Sequence, residues 1–261
     1  MNKALFGIVN LDHYAIDGNE FRAKCKSTFD ENGVLVLRNF LTPAAIQSIQ
    51  DEGLENQHLA YYTIADHNIY LTHADDDYAA DHPRNRLVSS SKGCITDDQI
   101  PADSALRILY EAEEFRAFLC FVLGESNLYE YADPLSSINL HYAGEGQELG
   151  WHFDNSSFAI TLMIQNPRDG GIFEYVKDIR NADAGEMNFA LCGKVLDGNI
   201  ATEKLSMEAG ALVLFRGRNS MHRVTPTIGK RTRMLVVLAY NTEPGIALSE
   251  SARMTFYGRL G

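Results

Sequence analysis

A chain of 261 residues with 45% hydrophobic and 22% charged side chains is long enough to bury a large core and is ordinary for a globular protein. Its net charge of −12, without any basic run, argues against a surface that tracks nucleic-acid phosphates. The scattered cysteines Cys25, Cys94, Cys120 and Cys192 exclude a disulfide frame, and no stretch approaches a membrane span or a signal segment, so a soluble cytoplasmic protein is expected.

In chain order, Glu20 to Asp30 places Phe21, Cys25 and Phe29 at helical spacing and stops before Gly33. Val34 to Leu37 is a short apolar strand. Thr42 then Pro43 reads as an N-cap followed by an N1 proline, opening a helix through about Glu52 that ends near Gly53. Residues 56–103 are the least regular part, with His58, His67, His73, His82, Arg84 and Arg86. They read as a solvated insertion, or as a lid whose polar groups meet a substrate. Asp103 is expected to cap one helix through about Leu123.

Short strands follow near 128–131, 136–142, 150–154, 158–165, 172–176, 204–207, 211–216, 221–225 and 233–240. The fold class expected is α+β, mainly β: a double-sheet jelly roll with N-terminal helices packed on one sheet. The expected organisation is one domain over 1–261, helical to about 125, with a jelly-roll core over about 126–245. Insertions are expected at about 56–103 and 177–203.

The chemistry gathers in the strand region. In His152-x-Asp154 the two side chains leave an extended strand on one face, so a nitrogen and a carboxylate oxygen can converge on one ion. His222, from a distant strand, would complete a two-His-one-carboxylate triad, which suits non-haem Fe(II). Arg231 and Arg233 follow, sharing by period two a face with Leu235, Val237 and Ala239. A buried cation there calls for a carboxylate, which arginine holds as a bidentate fork. An iron site beside such an arginine suits a 2-oxo acid that chelates the metal and anchors its far carboxylate. Tyr142, with Ile138 and Leu140, is expected inside the barrel; His141 then points away as a structural histidine.

Together these residues resemble the Fe(II)- and 2-oxoglutarate-dependent dioxygenases, with their double-stranded β-helix (cupin-like) core. The matching motifs are His152-x-Asp154, His222, the arginines nine and eleven residues later, Gly170-Gly171-Ile172-Phe173 and Gly210 to Phe215. The resemblance implies Fe(II), 2-oxoglutarate and O2 as cofactor and co-substrates. His152, Asp154 and His222 would be the metal ligands, Arg233 or Arg231 the co-substrate anchor, and Tyr142 a further co-substrate contact.

Within the family, His222 to Arg233 and Leu238 to Gly245 resemble the branch of carrier-independent amino-acid halogenases and their hydroxylase relatives. Those halogenases carry glycine where this chain has Asp154, which implies hydroxylation here. The function expected is hydroxylation of an unactivated C–H bond in a small polar substrate, a free amino acid or an amino-acid-like natural-product intermediate. Arg86, Asn155 and Asn241 are the candidate substrate contacts. No nucleic-acid or membrane partner is expected, and a homodimer is left open. The alternatives are a prolyl-type protein or peptide hydroxylase and a non-catalytic jelly-roll binding module.

Overall fold

A computed structural model describes residues 3–261. Helix α1 (Asn19–Asn32) buries Cys25 and Phe29 and ends at Gly33, whose φ of +71° is the left-handed cap expected of glycine. Strand β1 (Val34–Leu37) follows. Helix α2 (Pro43–Asn56) starts as expected, with the Thr42 hydroxyl accepting from the Ala45 amide at 3.2 Å. It runs through Gly53 rather than stopping there, because that glycine serves a close approach: a Cβ would meet Leu140 at 2.9 Å and Met234 at 3.2 Å.

Residues 56–103 correct the expectation of irregular chain. Strands β2 (Tyr61–Asn68) and β3 (Leu87–Ile95) form a hairpin paired along all of β2. β2 is a sheet edge with mostly exposed side chains, so it lacks the apolar alternation by which a half-buried strand is recognised. The expected helix over 103–123 is also corrected. It is two helices, α3 (Ala105–Glu111), capped by Ser104, and α4 (Glu113–Leu123), divided at the extended residue Ala112. The break lets Tyr110 stack on Tyr240 at 4.3 Å while Phe115, Phe118 and Leu119 stay buried.

The remaining strands are β4 (Ile138–Ala143), β5 (Leu149–His152), β6 (Ala159–Gln165), β7 (Asp169–Gly170) and β8 (Phe173–Val176). After helix α5 (Phe189–Leu196) come β9 (Glu203–Leu205), β10 (Leu212–Phe215), β11 (Met221–Val224), β12 (Thr227–Ile228) and β13 (Arg233–Leu238). The strand expected at 128–131 reduces to one bridge, Tyr129 to Asn241. Helix α6 (Glu250–Tyr257) was not anticipated; its Tyr257 hydroxyl donates to Asn139 Oδ1 at 2.9 Å.

The jelly roll consists of a seven-stranded sheet, β1-β10-β6-β13-β4-β3-β2, and a four-stranded sheet, β5-β11-β8-β9, with a two-stranded β12-β7 pair and no closed barrel. One face of the large sheet carries Ile138, Leu140, Tyr142, Leu162, Leu214 and Val236 into a core shared with α1–α4. Met163, Val213 and Leu235 face the other way, toward Phe173 and Leu205 of the small sheet. The two insertions pack on each other through Ile69, Tyr70, Ile179, Cys192 and Val195, beside Trp151 and Phe153. That places them next to the His152-x-Asp154 segment.

Candidate metal centre

β5 and β11 are antiparallel neighbours, and His152 is the direct register partner of His222. Their ring centroids are 4.2 Å apart. Each ring turns one nitrogen to a backbone carbonyl two residues earlier: His152 Nδ1 donates to Gly150 at 2.8 Å, and His222 Nδ1 donates to Ser220 at 2.9 Å. A carbonyl only accepts, so each Nδ1 carries a proton and each ring turns its Nε2 toward the site. Both Nε2 atoms point at Asp154 Oδ1, from 3.9 Å (His152) and 3.5 Å (His222). All three ligand atoms lie within 4.8 Å of one another, a group that could hold a metal ion.

Asp154 lies two residues beyond the end of β5, where its amide donates to the Gly217 carbonyl at 3.1 Å. The electrostatics favour a cation. Burial, reinforced by His222, lowers the His152 pKa to about 3, so this ring is neutral at pH 7 as a metal ligand must be. For Asp154, burial pushes the pKa up, but His222, His152 and Arg180 outweigh it and hold the carboxyl below its usual range. Its Oδ2 is buried without a hydrogen-bond partner. A buried carboxylate is costly to keep charged unless a positive charge joins it. Phe173, stacked 5.4 Å from His222, and Phe215, edge-on at 4.9 Å, hold that ring in place.

Gly217 is a site residue that the motif reading missed. A Cβ there would fall 1.8 Å from Asp154 Oδ2 and 2.9 Å from His222 Cε1. Gly217→Ala must therefore displace the carboxylate, and metal affinity, read by isothermal titration, is expected to drop roughly 10–100-fold, as when a ligand loses its supporting partner.

The triad opens on a cavity of about 270 Å³ between the two sheets, lined also by Phe158, Thr161, Val213, Leu235 and Arg233. Arg233 is only 4% exposed, and its Nε and Nη2 have no partner. Burial alone lowers its pKa to about 10. Arg231 lies before the strand and is exposed, away from the cavity. The two arginines do not share a face within the strand, because β13 begins only at Arg233.

Other candidates are placed elsewhere. The expectation that Tyr142 contacts the co-substrate is overturned: it is fully buried on the helix side, and its hydroxyl donates to the Gly53 carbonyl at 2.6 Å. The register of β4 puts His141, expected to be structural, in the cavity instead. Period two was right, but the chosen face was wrong, because both faces of this sheet are covered. Tyr142→Phe is expected to lower stability by about 1 kcal/mol, seen as a reduced melting temperature, with 2-oxoglutarate KM unchanged.

Arg86 is taken up by an ion pair with Asp197 and by the Leu196 carbonyl at 3.2 Å, tying the insertions together away from the cavity. Asn155 is exposed, and its carbonyl accepts from Arg218 at 3.1 Å. Asn241 bridges to Tyr129 and also lies outside the lining, which Ser156, Tyr131 and Tyr240 supply in its place.

A family model described as Halogenase D matches residues 17–255. No curated protein matches the sequence. Among solved structures, a non-haem alpha-ketoglutarate-dependent carbocyclase, SnoK, from nogalamycin biosynthesis is similar with a TM-score of 0.60 at 12% identity, over 88% of this chain and 89% of that one. A 2OG-Fe(II) oxygenase from Burkholderia pseudomallei gives 0.54 at 12% identity, over 86% and 92%. A Pseudomonas putida prolyl-4-hydroxylase gives 0.53 at 12% identity, over 84% and 98%. At such identities the likeness is one of fold.

Proposed function

Since this chain belongs to the Halogenase D family, a group of non-haem iron, 2-oxoglutarate-dependent oxygenases, we propose that it acts as a hydroxylase rather than a halogenase. The observation that carries this reading is Asp154, whose Oδ1 faces the Nε2 atoms of both histidines and supplies a third protein ligand. His152, Asp154 and His222 would hold Fe(II), and Arg233 would hold the far carboxylate of 2-oxoglutarate. The groups present fit both: two imidazole Nε2 atoms facing one carboxylate, an unpartnered carboxylate oxygen and an unpartnered guanidinium edge. Iron and 2-oxoglutarate, when bound, supply the oxidation of an unactivated C–H bond by O2, with release of succinate and CO2.

The chain's own contribution is placement. The carbonyls of Gly150 and Ser220 fix both imidazoles in one tautomer. Phe173, Phe215, Val213 and Leu235 wall the cavity and exclude water, which strengthens the charge interactions inside it. Among the described residues Asp154 is the only carboxylate in the lining, and Tyr131, Ser156 and Thr161 add hydroxyls. This supports a small substrate whose reacting part is uncharged, with any ammonium group kept outside the cavity. A free amino acid or an amino-acid-like intermediate oxidised on its side chain fits that description. The prolyl-type peptide reading rested on Tyr142, which is committed to Gly53.

The test is Fe(II)-dependent succinate formation measured against a panel of free amino acids, neutral natural-product precursors and proline-containing peptides, with product masses recorded. A gain of one oxygen on an amino-acid member would support the proposal. Turnover confined to the peptides, or a chlorinated product in chloride buffer, would overturn it.

A further inference from the structure

The proposed reaction leaves one cavity cation unused. Lys92 of β3 lines the cavity with His141 and Arg233, and the same three border a smaller annex beside it. Lys92 Nζ lies 3.4 Å and 3.3 Å from Nδ1 and Nε2 of His141, so it is aligned with neither lone pair. On another side the Phe256 ring centroid is 5.9 Å away. Two rings thus cradle the ammonium, and no carboxylate acts on it or on Arg233, although Glu148 borders the annex. Burial without an anion lowers the pKa of Lys92 as it does that of Arg233. Two cations buried at one end of a cavity are each costly to keep desolvated unless an anion joins them.

The sheet register shows which anion both can reach. Arg233 is the partner of Ala143 across β13 and β4. Gly93 is the partner of Tyr142 across β3 and β4, which puts Lys92 beside Ala143 from the opposite side. Lys92, Ala143 and Arg233 therefore form one row over three neighbouring strands. The two cationic residues start roughly 10 Å apart, with a methyl group as the floor between them. Long side chains rising from both ends of such a row can close on a single carboxylate above the alanine.

We propose that Lys92, oriented by His141, is the second cation of the far-carboxylate site, gripping 2-oxoglutarate from the side opposite Arg233. The inference rests on the co-substrate placement proposed above and adds a selection rule to it. One guanidinium already balances one carboxylate, so the extra positive charge discriminates against 2-oxo acids that lack the distal carboxylate. His141 is a positioning residue here: its ring keeps the ammonium over Ala143 and, its own pKa pushed well down by burial and by Lys92 and Arg233, adds no third charge.

The test compares anaerobic binding of 2-oxoglutarate and 2-oxovalerate, which has a methyl group in place of the far carboxylate, to the Mn(II)-loaded protein by calorimetry. Lys92→Met is expected to weaken 2-oxoglutarate at least about tenfold, the contribution of one charge-assisted hydrogen bond. Binding of 2-oxovalerate and of Mn(II) itself should not change, which also shows that the variant is folded. Lys92→Arg should recover most of the loss. Unchanged 2-oxoglutarate affinity in Lys92→Met, or equal weakening of both acids, would overturn the proposal. A wild-type protein that binds Mn(II) but neither acid would instead remove the co-substrate reading beneath it, and this proposal with it.

Discussion

Asp154→Gly is expected to abolish hydroxylation, by more than about hundredfold, while the fold is retained; losing a mere supporting partner of a ligand already costs 10–100-fold. Among the described residues the carboxylate would supply one of three converging ligand atoms, and the two imidazoles alone cannot balance a divalent charge. Its removal should cost the metal-free protein little. Asp154 Oδ2 is buried without a partner, so the variant loses an unsatisfied charged group and gains about 1 kcal/mol of backbone entropy cost at the new glycine. Thermal melts with and without added Fe(II) under anaerobic conditions separate the two effects. In the wild type the metal should raise the melting temperature, because it binds the folded state, and in the variant this rise should shrink. Full hydroxylation by Asp154→Gly would refute the proposed role of the triad.

Arg233→Met is the second large effect. Truncating one partner of a buried charge pair costs about 2–5 kcal/mol, so 2-oxoglutarate should bind roughly 30-fold to several thousand-fold more weakly. Without co-substrate the sign reverses. The wild-type guanidinium is desolvated, with Nε and Nη2 unpaired, and a methionine of similar length fills the space without that penalty. The melting temperature of the ligand-free variant should therefore equal or exceed that of the wild type. Arg231→Ala is the control: an exposed side chain outside the cavity should leave both quantities unchanged. Comparable losses of co-substrate affinity in the two variants would refute the assignment of the anchor to Arg233.

Much of the site is legible from residue type and spacing. His152-x-Asp154 with His222 is recognisable because residue types that can ligate a metal are few in kind, although Asp154 itself lies beyond the end of β5. The N-cap at Thr42 and the left-handed cap at Gly33 depend on chemistry within a few residues, and both stand in the structure. The two-sheet core follows from the run of short strands after residue 136. Local chemistry and periodicity are sufficient for all of these.

Tertiary structure decided what periodicity leaves degenerate. A strand covered on both faces reads the same from either side, so Tyr142 and His141 exchanged their expected positions, and with them the contents of the cavity. Where β13 begins separated Arg233 from Arg231, because a side chain two residues before a strand inherits none of its facing. The β2–β3 hairpin escaped notice because an exposed edge carries no burial pattern. Gly217 and Lys92 have no motif at all. One matters for the side chain it lacks beside Asp154, the other for sharing a row with Arg233 across strands far apart in sequence. The sequence by itself determined which side chains are candidates for the metal and the kind of fold that brings them together. Only the packing of sheet on sheet decided which side chains meet, since the pairing of distant strands is a property of the whole core and of no single segment.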